Sequence, residues 1–232
     1  MIWLLLLLLA LPVQALDLRD YGALCDGKQD TRPAWAAAMA DAKWAQDRTI
    51  HIPAGNCRFD GPPAPIDFGI GIEGEGLSTT QLWAHYDGSL IEFRGSGVRI
   101  RDLSVQKAAG YGGGWGIWCV ATNTNECGNA VIEDVWVTGH GTWYAPLHVD
   151  GASYRTAQPL GARAVSLRNV HLFNGGGFAA VLWGTVGLEW LGGGAYQGVG
   201  STQQVIVGGP HSARNRIDAN VGTLTAYPGA LR

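Results

Sequence analysis

Downstream of Ile50 the apolar residues fall in short alternating runs, and three of these runs repeat one pattern. They are Val98-Arg-Ile-Arg-Asp-Leu-Ser-Val105, Ala130-Val-Ile-Glu-Asp-Val-Trp-Val137 and Ala164-Val-Ser-Leu-Arg-Asn-Val-His-Leu172. Aligned, Ile100, Ile132 and Leu167 share a position, then Leu103, Val135 and Val170, then Val105, Val137 and Leu172. Asp102, Asp134 and Asn169 fall between, where a short polar side chain can bond the backbone of a bend. A second apolar run follows each of the first two and the third: Gly116–Val120, Pro146–Asp150 and Ala180–Gly184. A period of about 30 residues with two strands per repeat predicts stacked coils, because one coil cannot bury its own apolar face. A β-sandwich, whose strands are joined by hairpin turns, fits this pattern less well. After Gly192 short strands continue with looser repeats.

One segment has a different period. Between Pro33 and Gln46, the residues Trp35, Ala38, Met39, Ala42 and Ala45 recur at helical spacing. Asp30 or Thr31 can begin this helix, and Pro33 suits its first turn. The end of a coil stack exposes a core cross-section, so a single amphipathic helix placed first in the chain is predicted to cap it. Before it stand Met1–Ala15, an apolar run ending in Val13-Gln14-Ala15, read as a signal peptide cleaved after Ala15. The run is shorter than the roughly 20 residues that span a bilayer. An uncleaved anchor or a buried first strand is the alternative. Residues 16–232 are then one all-β domain, predicted to be secreted or periplasmic and off the membrane once the leader is removed.

The formal net charge is −3, from 16 Lys and Arg against 19 Asp and Glu, and no basic cluster stands out, which argues against nucleic acid as a partner. Four cysteines in an exported chain favour disulfides. Cys25–Cys57 would tie the segments that flank the helix, and Cys119–Cys127 would close a short loop. A zinc site is the alternative, but it lacks a Cys-x-x-Cys pair.

The opening Tyr21-Gly22-Ala23, Asp26-Gly27, Asp30, Ala34, Ala38 and Pro53-Ala54-Gly55 resembles the start of the pectate-lyase-like superfamily, which includes rhamnogalacturonase-, polygalacturonase- and epimerase-like proteins and phage tailspike-like proteins. The match covers about the first quarter of the mature chain and departs from the family at Cys25, Thr31 and Asn56-Cys57. It implies a right-handed parallel β-helix and an acidic polysaccharide as partner, acted on by a lyase or a glycoside hydrolase. The other class open to the fold is a non-catalytic carbohydrate-binding, adhesion or tailspike-like receptor-binding module, as a monomer or a homotrimer.

The family's catalytic signatures are incomplete here. Asn123-Thr124-Asn125 and Gly139-His140-Gly141 resemble polygalacturonase fragments, but the paired acids are absent, and an inverting hydrolase needs two carboxyls. Stacking offers a second route, because equivalent positions of successive coils lie about 4.8 Å apart. With Ile117, Leu147 and Val181 pointing inward, one outward column reads Trp118, His148, Leu182 and the next Val120, Asp150, Gly184. His148 and Asp150 are therefore candidate catalytic groups beside the Trp118 platform, since His can act as a base near neutral pH. On the other strand, Arg101, Glu133 and Arg168 form an outward column. They either neutralise a uronic acid or form a surface ladder in which Glu133 bridges both arginines. No motif supports a metal or cofactor, Ca²⁺ included.

Overall fold

The computed structural model describes residues 15–122, 127–139, 141–151, 162–174, 178–197, 204–209 and 212–231. Most of the leader, Asn123–Asn125 and His140 lie outside them. Every named strand pair is parallel, as stacked coils require. The larger sheet runs through Leu16–Asp17, Thr49–His51, Gly71–Glu73, Arg99–Lys107, Val131–Gly139, Ser166–Asn174, Glu189–Gln197 and Arg216–Val221. The second sheet runs through Ile91–Phe93, Trp115–Val120, Ala145–Asp150, Phe178–Trp183, Gln204–Gly208 and Thr223–Ala226. From Ile91 onward the chain alternates between the two sheets, and the result is a right-handed parallel β-helix.

The repeat alignment holds in register: Ile132 pairs with Ile100 and Leu167, Val135 with Leu103 and Val170, and Val137 with Val105 and Leu172. Ile50, Ile72 and Trp190 extend the first column, all fully buried. The core is one continuous cluster from Leu18 to Ala230.

Two corner columns turn each coil. The long strands of the larger sheet bend at Asp102, Asp134 and Asn169, whose φ values are 58°, 49° and 49°. The pairing register passes over these residues. Asp and Asn tolerate the left-handed conformation because their short side chains bond locally, and Asn169 Nδ2 donates to Asp134 Oδ1 at 2.6 Å. The bend divides the sheet into a first limb, holding Arg99–Arg101 and its partners, and a second limb, holding Leu103–Lys107 and its partners. The second corner, which the sequence pattern did not reveal, stacks Gly97, Asn129, Ala164, Gly187 and Arg214 at positive φ. Each stands two residues before the first paired residue of the next limb strand.

The helix spans Arg32–Ala42 and stops short of Gln46. Its last turn tightens, with Trp44 and Ala45 both donating to the Asp41 carbonyl, and Trp44 is left 82 % exposed. Trp35 lies edge-on to Phe59 at 5.9 Å and donates from Nε1 to the Ala64 carbonyl at 3.1 Å. The helix touches Leu16–Asp17 and Thr49–His51, the end strands of the larger sheet. Both expected disulfides, Cys25–Cys57 and Cys119–Cys127, are formed, so these sulfurs are not zinc ligands. Among the described residues no helix is long and apolar enough to cross a membrane.

Candidate functional site

The outer face of the second sheet is aromatic. Trp118 and His148 are adjacent in register, and their rings stack at 6.2 Å with an interplanar angle of 7°. Trp115, three residues before Trp118, reaches over His148 at 4.2 Å between ring centroids. Tyr144 meets Trp115 edge-on at 5.7 Å and is 64 % exposed, so it forms the outer lip of the cluster. At the floor, Trp118 Nε1 and His148 Nδ1 are buried with no hydrogen-bond partner among the described residues. Buried polar atoms are nearly always bonded, so two such nitrogens side by side in one aromatic cluster are unusual. Burial pushes His148 down to about 4, which makes it a neutral imidazole at physiological pH.

The loops beneath this platform are fixed by a buried cation. Lys107 occupies the inward position two residues beyond Val105, and it is fully buried. Its Nζ donates to the carbonyls of Tyr86 at 3.1 Å and Gly88 at 2.7 Å, and stands 4.1 Å from the Trp143 ring centroid. Gly139, its in-register neighbour, leaves it room, because a Cβ there would lie 2.7 Å from the Lys107 Cβ. Trp143 Nε1 in turn donates to the Thr138 carbonyl at 2.9 Å, and Tyr144 N to the Gly114 carbonyl at 2.9 Å. Ser89 Oγ accepts from Trp115 N at 2.9 Å. Lys107 therefore ties the segment before Ser89 to the segment before Tyr144, and so positions both Trp115 and Tyr144. Burial lowers its pKa to about 8, which leaves it mostly protonated at neutral pH.

Two expectations for this face need correction. The coil after His148 is offset by one residue: Val181 pairs with His148, Leu182 with Val149 and Trp183 with Asp150. The outward columns are thus Trp118, His148, Val181 and Val120, Asp150, Trp183. Val181 and Leu182 are both apolar, so the sequence does not show which of them faces inward; the pairing puts Ala180 and Leu182, both fully buried, on the inner columns. Nor are the candidate catalytic groups open to solvent. His148 is half-buried beneath Trp115, and Asp150 is only 7 % exposed.

Arg101, Glu133 and Arg168 sit elsewhere, on the outer face of the first limb of the larger sheet. There they line a depression of about 410 Å³ together with Thr49, Gly71 and Arg99. The bridging ladder is not formed. Arg101 Nη2 pairs with Glu73 of the preceding coil at 2.7 Å, and Arg168 Nε donates to Ser166 Oγ at 3.3 Å. Glu133 has no ion pair among the described residues. Because the inward residues of both sheets fill one core, their outward residues lie on different faces of the solenoid. The six candidates thus fall into two groups on separate faces.

Tyr144 counts, with Trp136, Trp143 and Trp183, among the aromatic residues the sequence offers for sugar faces, whereas Trp115 and Lys107 do not stand out in it. Lys107 had a usable signal, since the aligned repeats place it on an inward column. Trp115 and Tyr144 stand at a strand start and in a loop, beyond the reach of column counting.

No protein-family model and no curated protein matches the chain. Among solved structures it is similar to the mannuronan C-5 epimerase AlgE4 A-module of Azotobacter vinelandii, at 16 % identity over 90 % of this chain and 76 % of that one, with a TM-score of 0.49. It is also similar to the Agl-KA catalytic domain, at 14 % identity over 94 % of this chain and 54 % of that one, with a TM-score of 0.46. A third likeness is to ORF18 of Geobacillus virus E2, at 9 % identity over 92 % and 61 %, with a TM-score of 0.37. This chain therefore spans about three quarters of the first and about half of the second.

Proposed function

We propose that the protein is an exported polysaccharide-binding β-helix that holds sugar rings on the aromatic face of its second sheet. The observation that carries this is the meeting of an exposed ring, Tyr144, and a half-buried one, Trp115, with two unpartnered buried nitrogens, Trp118 Nε1 and His148 Nδ1. A sugar ring offers what this cluster lacks: an apolar face for the aromatic rings and hydroxyls at its edge for the nitrogens. Export agrees with the two disulfides, which persist in oxidising compartments.

Binding is favoured over cleavage by the state of the candidate base. General bases work best with a pKa near the operating pH, and His148 at about 4 is a weak one. A second reading, cleavage by a lyase or hydrolase, keeps His148 and Asp150 as the pair on one face, two residues apart. Incubation with a polysaccharide panel separates the two. Retention on the immobilised polysaccharide, with neither ultraviolet absorbance nor new reducing ends, is the expected result. An absorbing product would establish a lyase and new reducing ends alone a hydrolase. Failure to be retained by any member of the panel would remove the reading altogether.

A further inference from the structure

The depression on the first limb of the larger sheet has a chemistry unlike that of the aromatic face. Two outward rows border it, one through Thr49, Gly71, Arg99 and Val131, the other through Glu73, Arg101, Glu133 and Arg168. Gly71 deepens it, since a Cβ there would lie 2.9 Å from Thr49 Oγ1. Three guanidiniums face it against two carboxylates, in a chain whose overall charge is −3. One of those carboxylates, Glu73, is taken up by Arg101. Arg99 has no ion pair among the described residues, and Arg168 meets only a serine hydroxyl.

We propose that this groove is a second, separate binding site that takes a carboxylate-bearing sugar segment. The planar guanidinium forks of Arg99 and Arg168 match a carboxylate in geometry and charge. Glu133 selects the rest of the ligand. An uncommitted carboxylate repels a bare multivalent anion but accepts hydrogen bonds from hydroxyls, and Thr49 adds a hydroxyl of its own at the far side. The two arginines stand on strands separated by that of Glu133, so they lie roughly 9.6 Å apart along the stack at two strand spacings. That distance lets them meet carboxylates on different units of one chain. The site does not depend on the aromatic face, and with both intact the protein can hold two polysaccharide segments at once.

The test is calorimetric titration of trigalacturonate into the wild-type protein, Arg99→Ala/Arg168→Ala and Tyr144→Ala, at low and raised salt. The same trisaccharide with its carboxyls reduced to alcohols, and inorganic phosphate, serve as comparison ligands. The proposal expects the double variant to weaken trigalacturonate binding at least tenfold, raised salt to weaken it in the wild type, and Tyr144→Ala to leave the salt-sensitive component intact. Equal binding of the reduced trisaccharide would overturn it, as would loss in Tyr144→Ala with none in the arginine variant. Phosphate binding as tight as trigalacturonate, and lost in the same double variant, would show an adventitious ion only.

Discussion

The two outer faces are built from the same coils and the same strand alternation, yet they treat their outward residues in opposite ways. On the first limb of the larger sheet, the outward side chains are charged and stand in water: Arg101 is about half exposed and its partner Glu73 about a third. On the second sheet the outward side chains are covered by one another, with Trp115 over His148 and Asp150 only 7 % exposed. The difference arises in the connections. The first limb is entered through the tight corner of Gly97, Asn129, Ala164 and Gly187, which leaves its face bare. The second sheet is entered through segments that carry rings of their own, Tyr144 among them, and these segments are fixed by Lys107. Strand alternation decides which side chains leave the core; the connections decide whether they then meet solvent.

The largest expected contrast is in stability. Lys107→Ala removes a buried cation, opens a cavity and strands the Tyr86 and Gly88 carbonyls, at a cost of about 3 kcal/mol. Arg168→Ala, on the bare face, should shift stability by no more than about 0.5 kcal/mol. Chemical denaturation of both variants measures this, and equal midpoints would mean that the cation holds nothing together.

Acid sharpens the same contrast. His148 has its folded pKa depressed from 6.5 to about 4, so the unfolded chain binds the extra proton between those values. The associated stability is fully present above pH 6.5 and is lost as pH falls through about 4, with a magnitude on the order of 3 kcal/mol. His148→Gln should flatten this part of the pH–stability curve. An unchanged slope in that variant would place the proton elsewhere.

A smaller effect belongs to the corner between the sheets. Ala164 adopts φ 52° with an exposed side chain, a conformation that costs a residue with a Cβ about 1 kcal/mol. Ala164→Gly relieves that strain but loosens the unfolded chain, so a gain of up to about 1 kcal/mol is expected. A lowered melting temperature would show that the strain is already compensated. Smallest in stability is Tyr144→Ala, within about 0.5 kcal/mol because the ring is exposed. Its affinity for an uncharged oligosaccharide should nonetheless fall roughly fivefold, about 1 kcal/mol of ring contact. Unchanged affinity would remove Tyr144 from the platform.

How much of this was legible in the sequence follows the same division. Inward columns repeat in register, so Ile100, Ile132 and Leu167 align in the sequence and the bends fall at Asp102, Asp134 and Asn169. The cysteine pairs were legible because each closes a segment of fixed purpose. The placement of Val181 was not, since Val181 and Leu182 are both apolar and alternation alone does not tell which of the two faces the core. The burial of His148 was hidden for a related reason. Alternation gives direction, whereas cover comes from Trp115 and from a loop held by a lysine many residues away. The separation of Arg101 from His148 follows from a core shared by two sheets, which a single-strand alignment does not represent.

The central claim is that sugar hydroxyls reach the two unpartnered nitrogens beneath the aromatic lip. Indole N–H resonances, with Trp118 assigned through Trp118→Phe, can be followed while an oligosaccharide panel is titrated into labelled protein. The account predicts that one oligosaccharide shifts the Trp118 indole while those of Trp35 and Trp190, both buried in the core, stay in place. A Trp118 resonance that no sugar moves, in a protein that still binds polysaccharide, would contradict it.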